Sequence, residues 1–416
     1  MFHIRLCMLI AICLLFYGAC CRAETGMSTV PEGLGVNIHF TRPLPGEMRM
    51  LAATGLKWVR MDLLWAATEQ HPGRYNFSAW DQLIQAVQRQ HMRALLILDY
   101  GNPLYTGSAA DFPVTRMQRM AFTRWAAAAA GNFQGKPVIF EMYNEPNGMG
   151  HATPTEYARL ALETEKAIHR VNPRAVYIGP ALSGMNGQWL LPSLKRGLLS
   201  QWAAVSVHPY RQGAPETVSA DYRKLERLLS PYQPKGKHIP IFSGEWGYSS
   251  TWMKGNNLRQ AKYLVREFLT NLADHIPLSI WYDWRNDAKN PNPQERHFGM
   301  VKYRYHPGAK WVFTPKPAFF ACRELIHRLR GLRFHRTLSP QSARRRLLVF
   351  SAGKQRVWVA WKINNTGRKT LSLTVKNGTY NRTDFLGHRL PAVVAAGGKL
   401  HIDLSTGPQY IWRKGK

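Results

Sequence analysis

Two glutamates a hundred residues apart carry the chemistry that is easiest to read from this chain. Glu145 closes the run Phe140-Glu141-Met142-Tyr143-Asn144-Glu145-Pro146-Asn147, and Glu245 closes Pro240-Ile241-Phe242-Ser243-Gly244-Glu245-Trp246-Gly247. Each ends a short apolar stretch of strand type and is followed by a strand breaker, so both fall at strand carboxyl ends. A parallel α/β barrel keeps its reactive groups there. Two carboxyls aimed at one small volume repel each other, so one can hold a proton near neutral pH while the other ionises. A proton donor facing an ionised oxygen nucleophile is the pair that cleaves a glycosidic bond with retention of configuration, and it requires carboxyls about 5–5.5 Å apart. Either glutamate alone reads equally well as a salt-bridged strand end, whereas the pair at matching ends favours catalysis.

The elements that must position them recur eight times. Strand-like runs fall at 35–40, 58–63, 94–100, 138–143, 175–179, 204–208, 240–245 and 278–284. Helical patterns lie between and after them at 78–91, 115–130, 155–171, 186–199, 216–229, 257–273 and 317–329. In the first of these, Ser78 is the expected N-cap, with Trp80, Leu83, Ile84 and Val87 on one face. Eight such units predict a (β/α)8 TIM barrel over 24–331. A doubly wound open sheet would have fewer strands and a nucleotide-binding glycine turn, which is not visible. Past Gly331 the period changes to two. Val357, Val359, Trp361 and Ile363 alternate with Trp358, Ala360 and Lys362, which predicts half-buried antiparallel strands in a C-terminal β-sandwich over 332–416. No low-complexity linker precedes it, so it is expected to dock on the barrel.

Tyr143-Asn144-Glu145-Pro146 at the fourth strand, Gly244-Glu245-Trp246-Gly247 at the seventh and His208-Pro209-Tyr210 after the sixth together resemble the clan A glycoside hydrolases. Within that clan the chain is most similar to family 39, and particularly to its bacterial members associated with exopolysaccharide loci. That likeness runs through Trp281-Tyr282-Asp283-Trp284-Arg285-Asn286-Asp287 and His297-Phe298-Gly299-Met300-Val301. The resemblance implies that Glu145 is the general acid/base and Glu245 the nucleophile, that Asn144 meets the sugar 2-hydroxyl, and that His208 and Tyr210 contact the sugar and the nucleophile. Strict alternation would point Asn144 away from Glu145, so a bulge or twist is expected where this strand ends. Glu141 shares the parity of Glu145 and reads as a deeper structural carboxylate paired with a cation.

Arg60, on the second strand, either lies beside the nucleophile and keeps it ionised or partners Asp62 or Glu141. His39, near the end of the first strand, joins the substrate-binding candidates. Trp65, Tyr100, Tyr105, Trp246, Trp281 and Trp284 fall at or just beyond strand ends, where an aromatic face can stack on a pyranose; Trp246 and Trp284 are favoured, whereas Trp58 and Trp80 fit the core. The connection 285–313 is long and is expected to shape a cleft.

No cofactor or metal site is indicated: the histidines are scattered without zinc-type spacing. Nor is there a Gly-x-Ser-x-Gly nucleophile elbow. Residues 1–23 read as an export signal, with Arg5, an apolar stretch from Leu6 to Phe16 and small residues toward Ala23, so a periplasmic or extracellular protein is expected. Tyr17-Gly18-Ala19-Cys20 resembles a lipoprotein box only weakly, which makes lipidation the less favoured outcome. Four of the five cysteines lie in that segment, leaving Cys322 as a small buried hydrophobe and no disulfide framework.

The net charge is +31, and from Gly331 onward 17 Lys and Arg face two acids, with Arg344, Arg345 and Arg346 the densest run. Such a field favours a polysaccharide substrate of acidic type or an envelope surface, although a solvated basic surface without a partner fits as well. No nucleic-acid motif is found, and a monomer is expected. The function expected is an endo-acting retaining β-glycosidase cutting an exopolysaccharide. The alternatives are an exo-acting β-xylosidase-like or uronidase-like enzyme and a carbohydrate-binding barrel without catalysis. Intact Asn144, Glu145 and Glu245 argue against the last.

Overall fold

The computed structural model describes residues 29–148, 152–288, 290–339, 344–364, 366 and 370–414. The export signal and the cysteines within it lie outside these residues. Eight parallel strands, β1 (Leu34–Asn37), β2 (Trp58–Leu64), β3 (Arg93–Asp99), β4 (Val138–Met142), β5 (Tyr177–Ser183), β6 (Val205–His208), β7 (Ile241–Trp246) and β8 (Ser279–Trp281), close into a barrel in sequence order. β1 pairs back onto β8 with Gly35 opposite Ile280. The helices of the outer layer are α1 (Glu47–Ala52), α2 (Ser78–Arg89), α3 (Arg116–Asn132), α4 (Pro154–Val171), α5 (Leu191–Lys195), α6 (Val218–Leu229), α7 (Asn257–Ala273) and α8 (Pro317–Leu329).

Several expected elements differ, among them β1 and β8, which end at Asn37 and Trp281, short of their apolar runs. Ser78 does not cap α2: the cap position is Phe77, and Asn76 Oδ1 accepts the Ser78 N–H at 3.1 Å. The 186–199 pattern breaks into 3-10 turns around the short α5, because Pro192 sets the helix start and Gly197 adopts φ +76°. β5 runs later than the apolar run at 175–179 suggested, since its pairing with β6 continues through Leu182 and Ser183 after a register shift.

Inward and outward residues build separate cores. Trp58, Leu95, Ile97, Ile139, Ile178, Ala204, Leu278 and Ile280 fill the barrel interior. Two residues further along their strands, Arg60, Glu141 and Ser206 form a polar layer above that apolar plug. Gly244 occupies the β7 position of this layer: a Cβ there would collide with Ser206 Oγ and approach Glu141 Oε1 to 2.9 Å. The larger apolar cluster lies between the outer strand faces and the helices.

The long connection after β8 folds into a 3-10 turn (Glu295–His297) and the hairpin β9 (Val301–Tyr305) and β10 (Phe313–Pro315). After α8 come β11 (Arg333–Thr337), β12 (Arg345–Ala352), β13 (Gln355–Lys362), β14 (Thr370–Thr374), β15 (Gly378–Asp384), β16 (Arg389–Ala395), β17 (Lys399–Asp403) and β18 (Gln409–Arg413). Six of these form one sheet in the order β11-β12-β13-β18-β15-β16, and β14 pairs with β17. Leu347, Val349, Trp358, Ala360 and Ile411 face Leu371, Leu373, Leu400 and Ile402 of the smaller sheet. The opposite face, with Leu348, Phe350, Val357, Val359 and Trp361, joins the barrel's core. β13 is therefore buried on both faces rather than half-buried, because the barrel covers the side expected to meet water. Trp361 Nε1 donates to Glu216 Oε1 at 2.6 Å, and Arg266 clamps the same carboxylate with two hydrogen bonds of 2.7 Å. Both members of that ion pair are buried, so breaking it from one side would cost about 3–5 kcal/mol.

Candidate active site

Arg60 organises the mouth of the barrel. Its Nε donates to Glu141 Oε2 at 2.7 Å, its Nη1 to Asn37 Oδ1 at 3.2 Å and to Glu245 Oε2, and its Nη2 to Asn144 Oδ1 at 2.9 Å. Nη2 also lies 3.2 Å from His208 Nε2. A guanidinium has only donors, so His208 Nε2 accepts. Nδ1 then carries the ring proton and donates to Glu145 Oε1 at 2.8 Å. One buried cation thus touches Glu245 directly and Glu145 through an imidazole. Ser206 Oγ donates to the second oxygen of Glu141, which completes that carboxylate's partners within the polar layer.

Glu245 also accepts from the Tyr210 hydroxyl at 2.8 Å. Burial alone would push this carboxyl up, but the Arg60 guanidinium and the Tyr210 hydrogen bond outweigh it and hold Glu245 below the usual carboxylate range. One oxygen each of Glu145 and Glu245 and a ring nitrogen of His208 all lie within 4.8 Å of one another. That separation is near the 5–5.5 Å of retaining pairs and well short of the 6.5–9.5 Å that an inverting water needs.

Backbone turns bring both glutamates inward. After Met142 ends β4, Tyr143 adopts φ +60° and Glu145 φ +43°. Of the bulge or twist expected here, the chain takes a twist made by two left-handed residues, at a cost of about 1–3 kcal/mol each for residues with a Cβ. It is fixed by Glu145 N–H to the Ala181 carbonyl at 3.0 Å and by the Tyr143 ring packing on Phe112 at 4.7 Å. On β7 a register shift between Ser243 and Trp246 does the same for Glu245.

That shift explains a correction. Phe242 and Gly244 face the barrel interior, so unbroken alternation would aim Trp246 inward; the shift sends it outward instead, fully buried with Arg211 over its ring at 5.4 Å. Trp284 is 1% exposed, and its Nε1 donates to Glu47 at 3.1 Å. Trp65 and Trp281 are likewise 0% exposed. None of the four offers a face to a ligand. Arg60, at 1%, and His208, at 0%, are buried against the carboxylates and present no surface to the mouth. His39 is 44% exposed beside Asn37 and Asp283, and the Glu145 side chain is 32% exposed. Asn144 is half-buried, and its amide donates to the Tyr100 hydroxyl at 2.8 Å.

The rings that do line the mouth are half-buried Tyr100, Tyr210, Tyr282 and Trp252. Tyr282 donates to Glu295 at 3.0 Å and lies edge-on to His39 at 5.3 Å; Trp252 stands 6.5 Å from Tyr210. Tyr282, Trp252 and Glu295 were not singled out by sequence, where Tyr282 is one ring in an aromatic run and the other two sit in irregular connections. A second missed feature is the carboxyl pair Asp62 and Asp99. Burial, then the Asp62 charge, pushes Asp99 well above the usual carboxylate range, and burial raises Asp62 as well. Among the described residues Glu145, His208 and Glu245 are the group whose atoms could converge on a metal. All three are committed to hydrogen bonds, and the Arg60 charge beside them opposes a dication.

Comparison with known proteins accords with this geometry. Residues 25–288 match the family model described as Cellulase (glycosyl hydrolase family 5). No curated protein matches the chain in sequence. Among solved structures, a family 39 glycoside hydrolase from Bacteroides cellulosilyticus WH2 superposes with a TM-score of 0.80 at 24% identity, covering 92% of this chain and 81% of its own. A GH39 β-xylosidase from Caulobacter crescentus gives 0.69 at 16%, covering 95% and 98%. A GH30 endoxylanase from Clostridium papyrosolvens C71 gives 0.65 at 11%, covering 94% and 97%. With well over half its length matched by the family model, this chain belongs to the family which that model describes, glycosyl hydrolase family 5, and so to the retaining clan A glycoside hydrolases, and it shares the fold of the family 39 structures.

Proposed function

We propose that the protein hydrolyses β-glycosidic bonds within an exopolysaccharide, with Glu245 as nucleophile and Glu145 as acid/base. The observation that carries this reading is the approach of the two carboxyls to within 4.8 Å, one of them ionised by Arg60 and Tyr210. Glu245 attacks the anomeric carbon as Glu145 protonates the departing oxygen; the C–O bond to the leaving sugar breaks and an ester to Glu245 forms. Glu145, now a carboxylate, takes a proton from water, whose oxygen displaces Glu245 and restores the starting configuration. His208 N–H on Glu145 Oε1 leaves Oε2 to carry the shuttled proton. Of the two Asn144 amide hydrogens one goes to Tyr100, which leaves one for a sugar hydroxyl, while Tyr282 and Trp252 supply faces for neighbouring sugars.

The N-terminal export pattern supports action outside the cytoplasm. A second reading, exo-acting hydrolysis, is favoured by the likeness to a β-xylosidase that covers nearly both chains. Two measurements test the proposal on the polysaccharide of the source organism. Proton NMR of the first-formed product should show the β-anomer, and an α-anomer would refute double displacement. Viscosity should collapse before reducing ends accumulate; release of single sugars from the first turnovers would establish the exo reading.

A further inference from the structure

The C-terminal sheet carries a second concave surface. A cleft of about 750 Å³ opens between the end of α8, the β12–β13 turn, the β14–β15 connection and the last residues of β18. Its charged lining includes Arg328, Lys354, Arg356, Lys376 and Arg413, and among the described residues no carboxylate lines it. Arg328 is already paired, donating to Glu324 at 2.6 Å and stacking over Trp412 at 4.4 Å. Lys354, Arg356, Lys376 and Arg413 are exposed, and none lies within ion-pair distance of an acid among the described residues. Trp412 is half-buried in the wall.

The cleft is remote from the catalytic mouth. Gly331 N–H donates to the Val30 carbonyl at 2.8 Å and Val30 N–H to Leu332 at 2.9 Å, which ties the chain just after α8 to the chain just before β1. The end of α8 therefore lies at the amino-terminal face of the barrel, whereas Glu145 and Glu245 stand at the opposite face. A polymer held here reaches the catalytic residues only around the barrel, so retention and cleavage are separate functions of the molecule.

We propose that this cleft binds a carboxylated polysaccharide and anchors the enzyme to it. Four cations without a carboxylate partner among the described residues, of which Arg413 donates to the Asn377 carbonyl at 2.9 Å and Arg356 lies over the Trp358 ring at 5.9 Å, focus a positive potential in a concave surface, and an indole in the wall offers a face for a pyranose ring. Concavity favours a chain of linked sugars over a lipid surface, which would need a flat or convex basic face. The choice of a glycan over other polyanions rests on the function proposed above. The arginine run at 344–346 does not serve this role: Arg345 and Arg346 are half-buried and Arg344 donates to Thr366 at 2.8 Å.

The test is co-sedimentation of the full-length protein with calcium-gelled polygalacturonate at about 50 and 300 mM salt. Lys354→Gln/Arg356→Gln/Lys376→Gln should weaken binding roughly tenfold or more at the lower salt. A control with the same charge loss on another face, Lys224→Gln/Arg227→Gln/Lys235→Gln, should bind like wild type, and both variants should hydrolyse a small aryl glycoside at the wild-type rate. Equal loss in the control would overturn the proposal in favour of diffuse charge. Tighter binding to phosphatidylglycerol vesicles or single-stranded DNA than to polyuronate, lost in the first variant alone, would reassign the cleft to that ligand. Loss of aryl-glycoside hydrolysis in wild type would count against the catalytic reading and leave this result intact.

Discussion

Replacing Arg60 by Met probes the electrostatic logic of the mouth at one atom group. The guanidinium touches Glu245, Glu141, Asn37, Asn144 and His208 and is buried, so its removal leaves a buried carboxylate, Glu141, supported by Ser206 alone. Breaking such a network from one side costs about 3–5 kcal/mol. In the wild type the Glu245 carboxyl is held below the ordinary 4.5, so it contributes stability that is present above pH 4.5 and lost as pH falls through the folded-state value. Without Arg60 a charge that opposes the effect of burial is gone, and the folded-state value rises. The acid limb of kcat/KM should therefore move upward. The variant's melting temperature should fall further below wild type at pH 7 than at pH 5, because protonating Glu245 relieves its buried charge. An acid limb at the wild-type pH, in a variant that still folds, would refute the role given to Arg60.

Glu145→Ala should still attack an aryl glycoside whose leaving group needs no proton, accumulate glycosyl-enzyme, and regain turnover with azide as a β-glycosyl azide; an α-azide would exchange the roles of the two glutamates. Tyr210→Phe removes one donor to a buried ionised carboxylate, so it should cost about 1.5–3 kcal/mol of stability by thermal unfolding and lower kcat/KM in steady-state kinetics, with the acid limb displaced upward. Trp246→Ala should lose about 3–5 kcal/mol of stability by thermal or urea unfolding while KM stays within about twofold, and a large KM rise without destabilisation would return this ring to the substrate site.

The barrel was legible because its signals are repeated and local. The apolar runs at β2, β3, β4 and β7 and the periodic helices α7 and α8 were predicted at or within a residue or two of their observed ends. Glu145 and Glu245 were legible as strand-end carboxyls. Orientation was not, because in a strand buried on both faces the sequence is apolar throughout and parity loses its meaning. Trp246 shows this: one register shift near Ser243 exchanges inward for outward. His208 was read from its position after β6, which could not reveal that its ring lies beneath Glu145. Asp62 and Asp99 are 37 residues apart on neighbouring strands, and nothing local marks them as neighbours whose carboxyls are both raised by burial. The face of the C-terminal sheet covered by the barrel was hidden for a similar reason, since alternation reports burial on one side and is silent about a partner on the other.

The central claim is that Glu245 forms a covalent bond to the sugar. Incubation with a 2-deoxy-2-fluoro β-glycoside bearing an activated leaving group, followed by peptide mass spectrometry, measures this directly. The fluorine destabilises the oxocarbenium-like transition states of both steps, and the good leaving group lets the first outrun the second, so the intermediate persists. The prediction is one fluorosugar per chain, attached to the peptide carrying Glu245 and absent from Glu245→Gln. A label on Glu145, or an unlabelled protein that nonetheless hydrolyses the parent glycoside, would contradict the account.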